Sequence, residues 1–404
     1  MFSVALVCVA LAVIVFLLNR KVKMGPAMLA GSAIIFFASG ATPAKLWSAT
    51  AATATGRATW EIMLALYFVM CLEFQLRTGG IIDGMMTAAR KLFRSDRILL
   101  ALMPSFLGFL PSLGGAIFSA PLVENAANSF VISPERKTAI NYWFRHVWEF
   151  SNPIFTGMLL ASQLSGIPLG DLVFRMIWAT AVALVIGWLL LIAPLKPAAA
   201  APAPPASTVD DQTGWRFVFL AAGPILANFA LVVFFKLSAA VAMALVVAGM
   251  ALIIRQDAAD IRAMLAHALD GKLLWGVAGI LFFQRILSES GVIGDVAALL
   301  DNLAIPATVI IGVVAFLGGL LTGTSQGFVA IAFPFIALLS PGNLTLVTIC
   351  FVAGMAGQML SPAHLCLLVT LDYFRADFLR SLRPILLLEI VMVAAAVAVV
   401  SWWG

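Results

Sequence analysis

The sequence has little charge for its length. Only 11% of its 404 residues are charged, whereas 63% are hydrophobic, and the mean hydropathy is +1.07. A soluble domain has about 25% charged residues, so 24 basic and 19 acidic residues cannot cover a soluble surface of this size. This composition excludes a secreted enzyme, a nucleic-acid-binding protein and a coiled coil. It predicts an all-α, multi-pass protein of the inner (cytoplasmic) membrane.

The sequence also lacks the motifs of metal knuckles and of hydrolases. Its four cysteines lie within or beside apolar stretches without CxxC spacing: Cys8, Cys71, Cys350 and Cys366. Neither a disulfide framework nor a zinc knuckle is indicated. HExxH, P-loop and GxSxG patterns are absent too. We therefore expect no enzyme activity and no cofactor; an intramembrane enzyme built on His146 and Glu149 is the least favoured alternative.

Apolar runs of helical length are what the sequence has in abundance. A membrane span needs about 20 such residues, and about ten spans are predicted. They lie at 2–18, 25–39, 60–79, 141–165, 172–195, 215–235, 238–254, 272–290, 343–371 and 384–402. Two further apolar segments, 98–127 and 306–339, have Gly-rich turns at their centres. We interpret them as re-entrant hairpins; two short spans or one kinked span is the alternative.

The chain reads as two related halves. A Pro/Ala-rich stretch at 196–214, KPAAAAPAPPASTVDDQTG, predicts a linker between residues 1–195 and 215–404. Pro121 in the first half corresponds to Pro334 in the second, and Ser-Asn-Pro at 151–153 corresponds to Leu-Ser-Pro at 360–362. These matches keep the same order in both halves, so they indicate an internal duplication.

Basic residues predict the orientation. They cluster at 20–23, 90–97, 136–137, 255–262 and 375–383, and a positive-inside arrangement puts these clusters and the linker in the cytoplasm. Both termini are then outside, and the first apolar run is expected to be a retained span. Five spans per half is an odd number, so the second half enters the membrane inverted. Inverted repeats with interrupted helices are typical of secondary transporters.

Polar chemistry is predicted where the helices break. Non-helical backbone inside a membrane must face protein or a polar cavity, and four such places are expected to meet near the midplane. They are the two hairpin tips and the breaks at Pro153 and Pro362. Helix amino termini there suit an anion. The candidate substrate-binding residues are Ser112, Gly114, Gly115, Ser151, Asn152, Thr322, Thr324, Ser325, Gln326, Ser361 and His364.

Ionisable residues beside the first break are candidates for the coupling ion. Arg145 and Glu149 are four residues apart, and His146 and Glu149 are three apart, so they share a helix face. Charged groups at this depth are costly and suggest function, although a structural Arg145–Glu149 ion pair is an equal alternative. Glu124 faces either the site or the cytoplasmic surface. Oxygen atoms at the hairpin tips are a possible Na⁺ site, and no other metal is expected.

Three motifs resemble a known family. They are LPSLGGAIFSAP at 110–121, NYWFRHVWE at 141–149 and LSPAHLC at 360–366. Together they resemble an uncharacterised prokaryotic integral-membrane family of the ion transporter superfamily, whose relatives are divalent-anion symporters and gluconate- and citrate-type permeases. The resemblance implies a homodimer with an elevator mechanism. It also implies a scaffold of 1–80 with 215–291 and a mobile transport domain of 98–195 with 306–402.

These observations lead to one functional hypothesis and an alternative. We expect a secondary active transporter that couples Na⁺ or H⁺ to a small organic anion such as a carboxylate. The alternative is a flippase for a lipid-linked anionic substrate, which would need a groove open to the lipid. The expected partners are the anion, the lipid bilayer and a second copy of the chain.

Overall fold

The computed structural model describes residues 2–82, 84–85, 88, 95–109, 115–198, 211–269, 271–292 and 306–403. These residues form an all-α protein, as the composition predicts, apart from two short strands. The helices of the first half are α1 (Phe2–Asn19), α2 (Met24–Ala38), α3 (Pro43–Thr55), α4 (Arg57–Thr78), α5 (Asp96–Gly108), α6 (Gly115–Ala127), α7 (Pro134–His146), α8 (Thr156–Ser165) and α9 (Leu169–Gly187). A 3₁₀ turn (Val147–Phe150) follows α7, and a π turn (Trp188–Ile192) follows α9.

The second half contains nine further described helices. They are α10 (Asp211–Val233), α11 (Ala239–Ile253), α12 (Ala258–His267), α13 (Gly271–Glu289), α14 (Ala307–Thr322), α15 (Ser325–Leu339), α16 (Leu344–Met359), α17 (Leu365–Phe374) and α18 (Phe378–Trp403). Strands β1 (Phe130–Val131) and β2 (Lys196–Pro197) pair antiparallel. The predicted linker therefore begins in a strand, and α10 begins within its last residues. Positions 199–210 lie outside the described residues.

The distribution of side chains suits a lipid environment. Large apolar residues point outward, such as Phe37 at 79% exposed and Leu252 at 80%, while Gln75, Asn141 and Thr348 are fully buried. Soluble proteins place polar side chains outside. Among the described helices, four are long and apolar enough to cross a bilayer: Arg57–Thr78, Leu169–Ile192, Trp215–Val233 and Phe378–Trp402. Several shorter apolar helices accompany them.

The breaks in the predicted spans are present. The segment 141–165 is divided between α7 and α8, and the segment 343–371 between α16 and α17. Each predicted hairpin is a pair of packed helices, α5 with α6 and α14 with α15. Among the described residues of the hairpins, Pro104, Pro121 and Pro334 lie inside helices, and Pro111 at the first tip lies outside the described residues.

One helix was missed by the sequence reasoning. The α3 helix packs against α13 and α4, although its sequence, PAKLWSATAATAT, is not apolar enough to read as a span. Pro43 at its first position supplies a preset helical φ. Short amphipathic helices such as this one are stabilised by their neighbours more than by propensity.

Candidate functional site

The first break is held by Asn152. Pro153 has no backbone N–H, so the helix cannot continue through it unchanged. The Asn152 side chain compensates: its Nδ2 donates to the Phe109 carbonyl at 3.1 Å, and its Oδ1 accepts from the Ile154 N–H at 3.2 Å. Asn152 therefore fastens the break to the end of α5, the first leg of the first hairpin.

Ser361 has the same role at the second break. Its hydroxyl donates to the Leu320 carbonyl at 2.6 Å and accepts from the Ala363 N–H at 3.1 Å. Leu320 lies near the end of α14, the first leg of the second hairpin. Asn152 and Ser361 are the residues matched between the halves in the sequence, and each of them bonds to the first leg of the hairpin in its own half.

The tip of the second hairpin lies against the second break. Gly323 adopts a left-handed φ of 64°, which suits glycine, and a Cβ there would overlap the backbone of His364. The next residue, Thr324, caps α15: its hydroxyl accepts from the Gly327 N–H at 3.1 Å. Glycine at 323 is therefore required both by the turn and by the close approach of the two chain segments.

The same tip also lies against the start of α8. A Cβ on Gly157 would overlap the Ser325 side chain, so the amino termini of α8 and α15 are adjacent. With the start of α17 next to Gly323, three helix amino termini meet at this tip. Neither α8 nor α17 has a side-chain cap at its start. Their free N–H groups and partial positive charge favour an anion.

The other predicted polar residues, at the second tip and at the first break, differ in how many hydrogen bonds their side chains already make. The Thr322 hydroxyl donates to the Gly318 carbonyl at 2.7 Å, and the Ser151 hydroxyl lies 2.7 Å from Thr180 Oγ1. Gln326, in the first turn of α15, is half-buried and makes no hydrogen bond with the described residues. It is therefore the predicted tip side chain with the most capacity to bind a ligand.

Two histidines from opposite halves meet beside this tip. His146 Nδ1 lies 2.6 Å from the Tyr142 carbonyl and must carry a proton to donate to it. His146 Nε2 then accepts, and His364 Nε2, at 3.0 Å, donates. This assignment leaves His364 Nδ1 as a buried acceptor with no partner among the described residues.

Glu149 adjoins the histidine pair. One carboxylate oxygen is 3.7 Å from His146 Nε2, and the other accepts from Gln358 Nε2 at 3.0 Å. Arg145 is buried as well, and its guanidinium donates to the Leu107 carbonyl at 3.3 Å. The sequence placed Arg145 and Glu149 on one α-helical face, but α7 ends at His146 and Glu149 lies in the 3₁₀ turn.

Cys366 is a neighbour that the sequence reasoning missed. Its Sγ and the Nε2 or Nδ1 atoms of His146 and His364 all lie within 4.8 Å of one another. The spacing of His364 and Cys366, two residues apart after a break, is the signal that was available. Its partner His146 lies in the other half of the chain, which no local motif reveals.

Glu124 does not join this group. It forms a salt bridge of 2.7 Å with Lys137, and its side chain is 39% exposed. Both line a cavity of about 350 Å³ with Arg375. Lys137 is nine residues before His146 on α7, which is about 13 Å along a helix.

The tip of the first hairpin falls mostly at positions 110–114, so Ser112 and Gly114 lie outside the described residues, and Gly115 begins α6.

Comparison with known proteins places the chain in a family. The model of the family described as "Protein of unknown function (DUF401)" matches residues 2–402. The chain therefore belongs to this family. No curated protein matches it.

The fold is similar to that of a solved transporter structure. The crystal structure of the Alcanivorax borkumensis YdaH transporter, reported to have an unusual topology, is similar with a TM-score of 0.60 and 16% identity. The similarity covers 89% of this chain and 87% of that chain. A transporter fold and the apolar helices together indicate a multi-pass membrane protein.

Proposed function

We propose that this member of the DUF401 family is a secondary active transporter that couples Na⁺ or H⁺ to a small organic anion. The observation that carries the proposal is the meeting of three helix amino termini at the second hairpin tip, beside Gln326, whose side chain makes no hydrogen bond within the described part of the chain. Interrupted helices whose amino termini face an anionic group are a transporter's means of binding it without a buried counter-charge.

The anion is assigned to the tip and its neighbours. Gln326, Thr324 and Ser325 supply side-chain groups, and the starts of α8 and α17 supply backbone N–H groups. Asn152 and Ser361 are already engaged with the hairpin legs, so their proposed contribution is mainly to hold the N–H groups in place. Ser112, Gly114 and Gly115 would complete the site from the other hairpin.

The coupling ion has two candidate locations. Backbone and hydroxyl oxygens around Thr322 and Thr324 are ligands of the hard type that Na⁺ takes. Alternatively, His146 and Glu149, beside Arg145, form a buried hydrogen-bonded group able to hold a proton. Glu124 is a peripheral candidate for proton uptake, since it is partly exposed.

Movement of one part of the chain against another would provide alternating access. We propose that residues 98–195 with 306–402 move as an elevator against 1–80 with 215–291, in a homodimer. Support comes from hydrogen bonds between the broken helices and the hairpins, Asn152 to Phe109 and Ser361 to Leu320, which lie within the proposed mobile part. The proposed orientation keeps both termini outside and the linker in the cytoplasm.

Uptake into proteoliposomes tests this function. Labelled carboxylates, sugar acids and inorganic anions are offered under imposed Na⁺ or pH gradients, and accumulation of at least one anion is expected. Gln326→Ala should reduce the initial rate about tenfold or more, because losing ligand hydrogen bonds costs about 1–3 kcal/mol. Thr324→Ala should also reduce it, and Thr324→Ser, which keeps the cap, should retain it.

A matched control separates site effects from folding effects. Thr50→Val changes an exposed threonine whose hydroxyl only bonds within its own helix, so uptake should be unchanged. Full uptake by both Gln326→Ala and Thr324→Ala would contradict the assignment of the anion site to this tip. Lipid scrambling without movement of any soluble anion would favour the flippase instead.

A further inference from the structure

Two histidines and a cysteine form a cluster that the transport proposal leaves only partly explained. We propose that His146, His364 and Cys366 bind a borderline or soft transition-metal ion such as Zn²⁺, with Glu149 as a fourth ligand. The sequence contains three histidines and four cysteines in 404 residues. Two of those histidines and one of those cysteines meet at this one point, from opposite halves of the chain.

The distances suit tetrahedral coordination. Metal–nitrogen and metal–sulfur bonds of about 2.0–2.3 Å place the ligand atoms of a zinc site about 3.3–3.6 Å apart. Here the two Nε2 atoms are 3.0 Å apart, the Glu149 oxygen is 3.7 Å from His146 Nε2, and Sγ lies within the 4.8 Å limit of the cluster. The two nitrogens and the Glu149 oxygen need shifts of a few tenths of an ångström to bind one ion, and Sγ needs a shift of up to about 1 Å.

The hydrogen bonds around the cluster prepare its ligands. The Tyr142 carbonyl keeps the His146 proton on Nδ1, which leaves Nε2 free to bind a metal. Gln358 orients Glu149 through the second carboxylate oxygen. His364 Nδ1 has no partner among the described residues, so the His364 proton is able to reside there instead of on Nε2.

Binding has a definite proton balance. Without an ion, a proton must lie between the two Nε2 atoms, because two lone pairs at 3.0 Å repel each other. A divalent cation replaces that proton: the His364 proton moves from Nε2 to Nδ1, and the Cys366 thiol releases its proton to solvent as the thiolate binds. With Glu149 counted as a carboxylate before the ion binds, one proton is released per ion, and affinity falls as the pH is lowered.

The donor set selects the class of ion. Two imidazoles and a thiolate favour Zn²⁺ and softer ions, whereas Na⁺, Mg²⁺ and Ca²⁺ prefer oxygen ligands. The cluster lies near the surface of the chain, because Cys366 is only partly buried and its neighbour Leu365 is 58% exposed. A bound ion would join the end of α7 to the start of α17 and so hold the two breaks together.

Cobalt binding tests the site without reference to transport. The purified full-length chain in detergent, carrying Cys8→Ser to remove an exposed thiol, is titrated with Co²⁺. One Co²⁺ per chain is expected, with a thiolate-to-cobalt charge-transfer band and the intense visible bands of tetrahedral Co²⁺. Zn²⁺ should displace it and raise the melting temperature.

Substitutions assign the ligands. Cys366→Ser should abolish the charge-transfer band, and His146→Gln and His364→Gln should each weaken Co²⁺ binding by at least about tenfold. Cys350→Ser, a buried thiol elsewhere, and His267→Gln, an exposed histidine, should bind as the parent does.

Two results would overturn the proposal. One is the absence of a charge-transfer band from the parent protein at millimolar Co²⁺. This test does not depend on the folding of any variant. The other is a folded Cys366→Ser or Cys366→Ala variant that retains the band. Co²⁺ binding is measured at equilibrium in detergent, so a failure of anion uptake does not contradict the metal site. A failure of Co²⁺ binding likewise does not contradict the proposed transport.

Discussion

At the scale of single residues, Glu389 contrasts with Glu149. Glu389 lies on α18 and is 2% exposed, and neither carboxylate oxygen has a hydrogen-bond partner among the described residues. It borders a cavity of about 10 Å³ shared with His146, which has room for about one water. Glu149, which is also buried, contacts His146 and Gln358. The two carboxyl groups should therefore respond differently to the same substitution.

We expect Glu389→Gln to leave the melting temperature unchanged or to raise it. An unpaired buried carboxylate is costly, and the amide has the same shape without the charge. Glu149→Gln should lower the stability by about 1–3 kcal/mol, because it removes the charge that strengthens the hydrogen bond from Gln358 and the contact with His146. Thermal unfolding in detergent, without added metal, measures both. A large loss in Glu389→Gln alone would mean that Glu389 has an ionic partner.

At the scale of elements, the breaks depend on hydrogen bonds that reach across to the hairpins. Ser361→Ala removes the donor to Leu320 and the acceptor for Ala363; Ser361 is fully buried, and both hydrogen bonds are partly buried. Each hydrogen bond contributes about 0.5–1.5 kcal/mol, so we expect a loss of about 1–3 kcal/mol in unfolding free energy. Circular dichroism during unfolding in detergent measures this loss.

Ser401→Ala is the control for that measurement. Ser401 is exposed, and its hydroxyl bonds only to Val397 in the same helix, so its removal should change stability by less than about 0.5 kcal/mol. Equal stabilities for the two variants would show that the second break is held by something other than Ser361.

At the scale of the whole molecule, one exposed ion pair joins the two proposed bodies. Lys236 Nζ lies 2.5 Å from Asp171 Oδ1, and the two residues belong to the proposed scaffold and the proposed transport domain respectively. Exposed pairs contribute about 0–1 kcal/mol, so this contact alone would not prevent sliding. A covalent link at the same place would prevent it.

We therefore expect a cross-link between Asp171→Cys and Lys236→Cys, in the Cys8→Ser background, to stop uptake. A short reagent that dithiothreitol cleaves should stop transport reversibly if the two bodies move. Glu124→Cys with Lys137→Cys, a pair within the transport domain, should remain active when cross-linked. Single-cysteine variants treated with the reagent correct for reaction at Cys366. Unimpeded uptake in the cross-linked Asp171–Lys236 variant would contradict an elevator movement.

How far the sequence predicts the structure depends on the range of the interaction. Pro153 and Pro362 remove backbone donors, and Gly323 allows a left-handed turn; each of these effects is local. The breaks and the second hairpin tip were therefore predicted at the right residues. Helix α3 was missed because packing against α13, rather than apolar periodicity, stabilises it.

The sequence by itself determined the class of protein, the places where its helices stop and the residues available there. Composition decides whether a surface faces lipid, and Pro and Gly act on the backbone next to them. Only the tertiary structure decided which of those residues meet. His146 and His364 are 218 positions apart, and their contact with Cys366 exists because two helices from opposite halves, each next to a break, pack side by side. No local pattern encodes such a contact, since it depends on how every intervening helix packs.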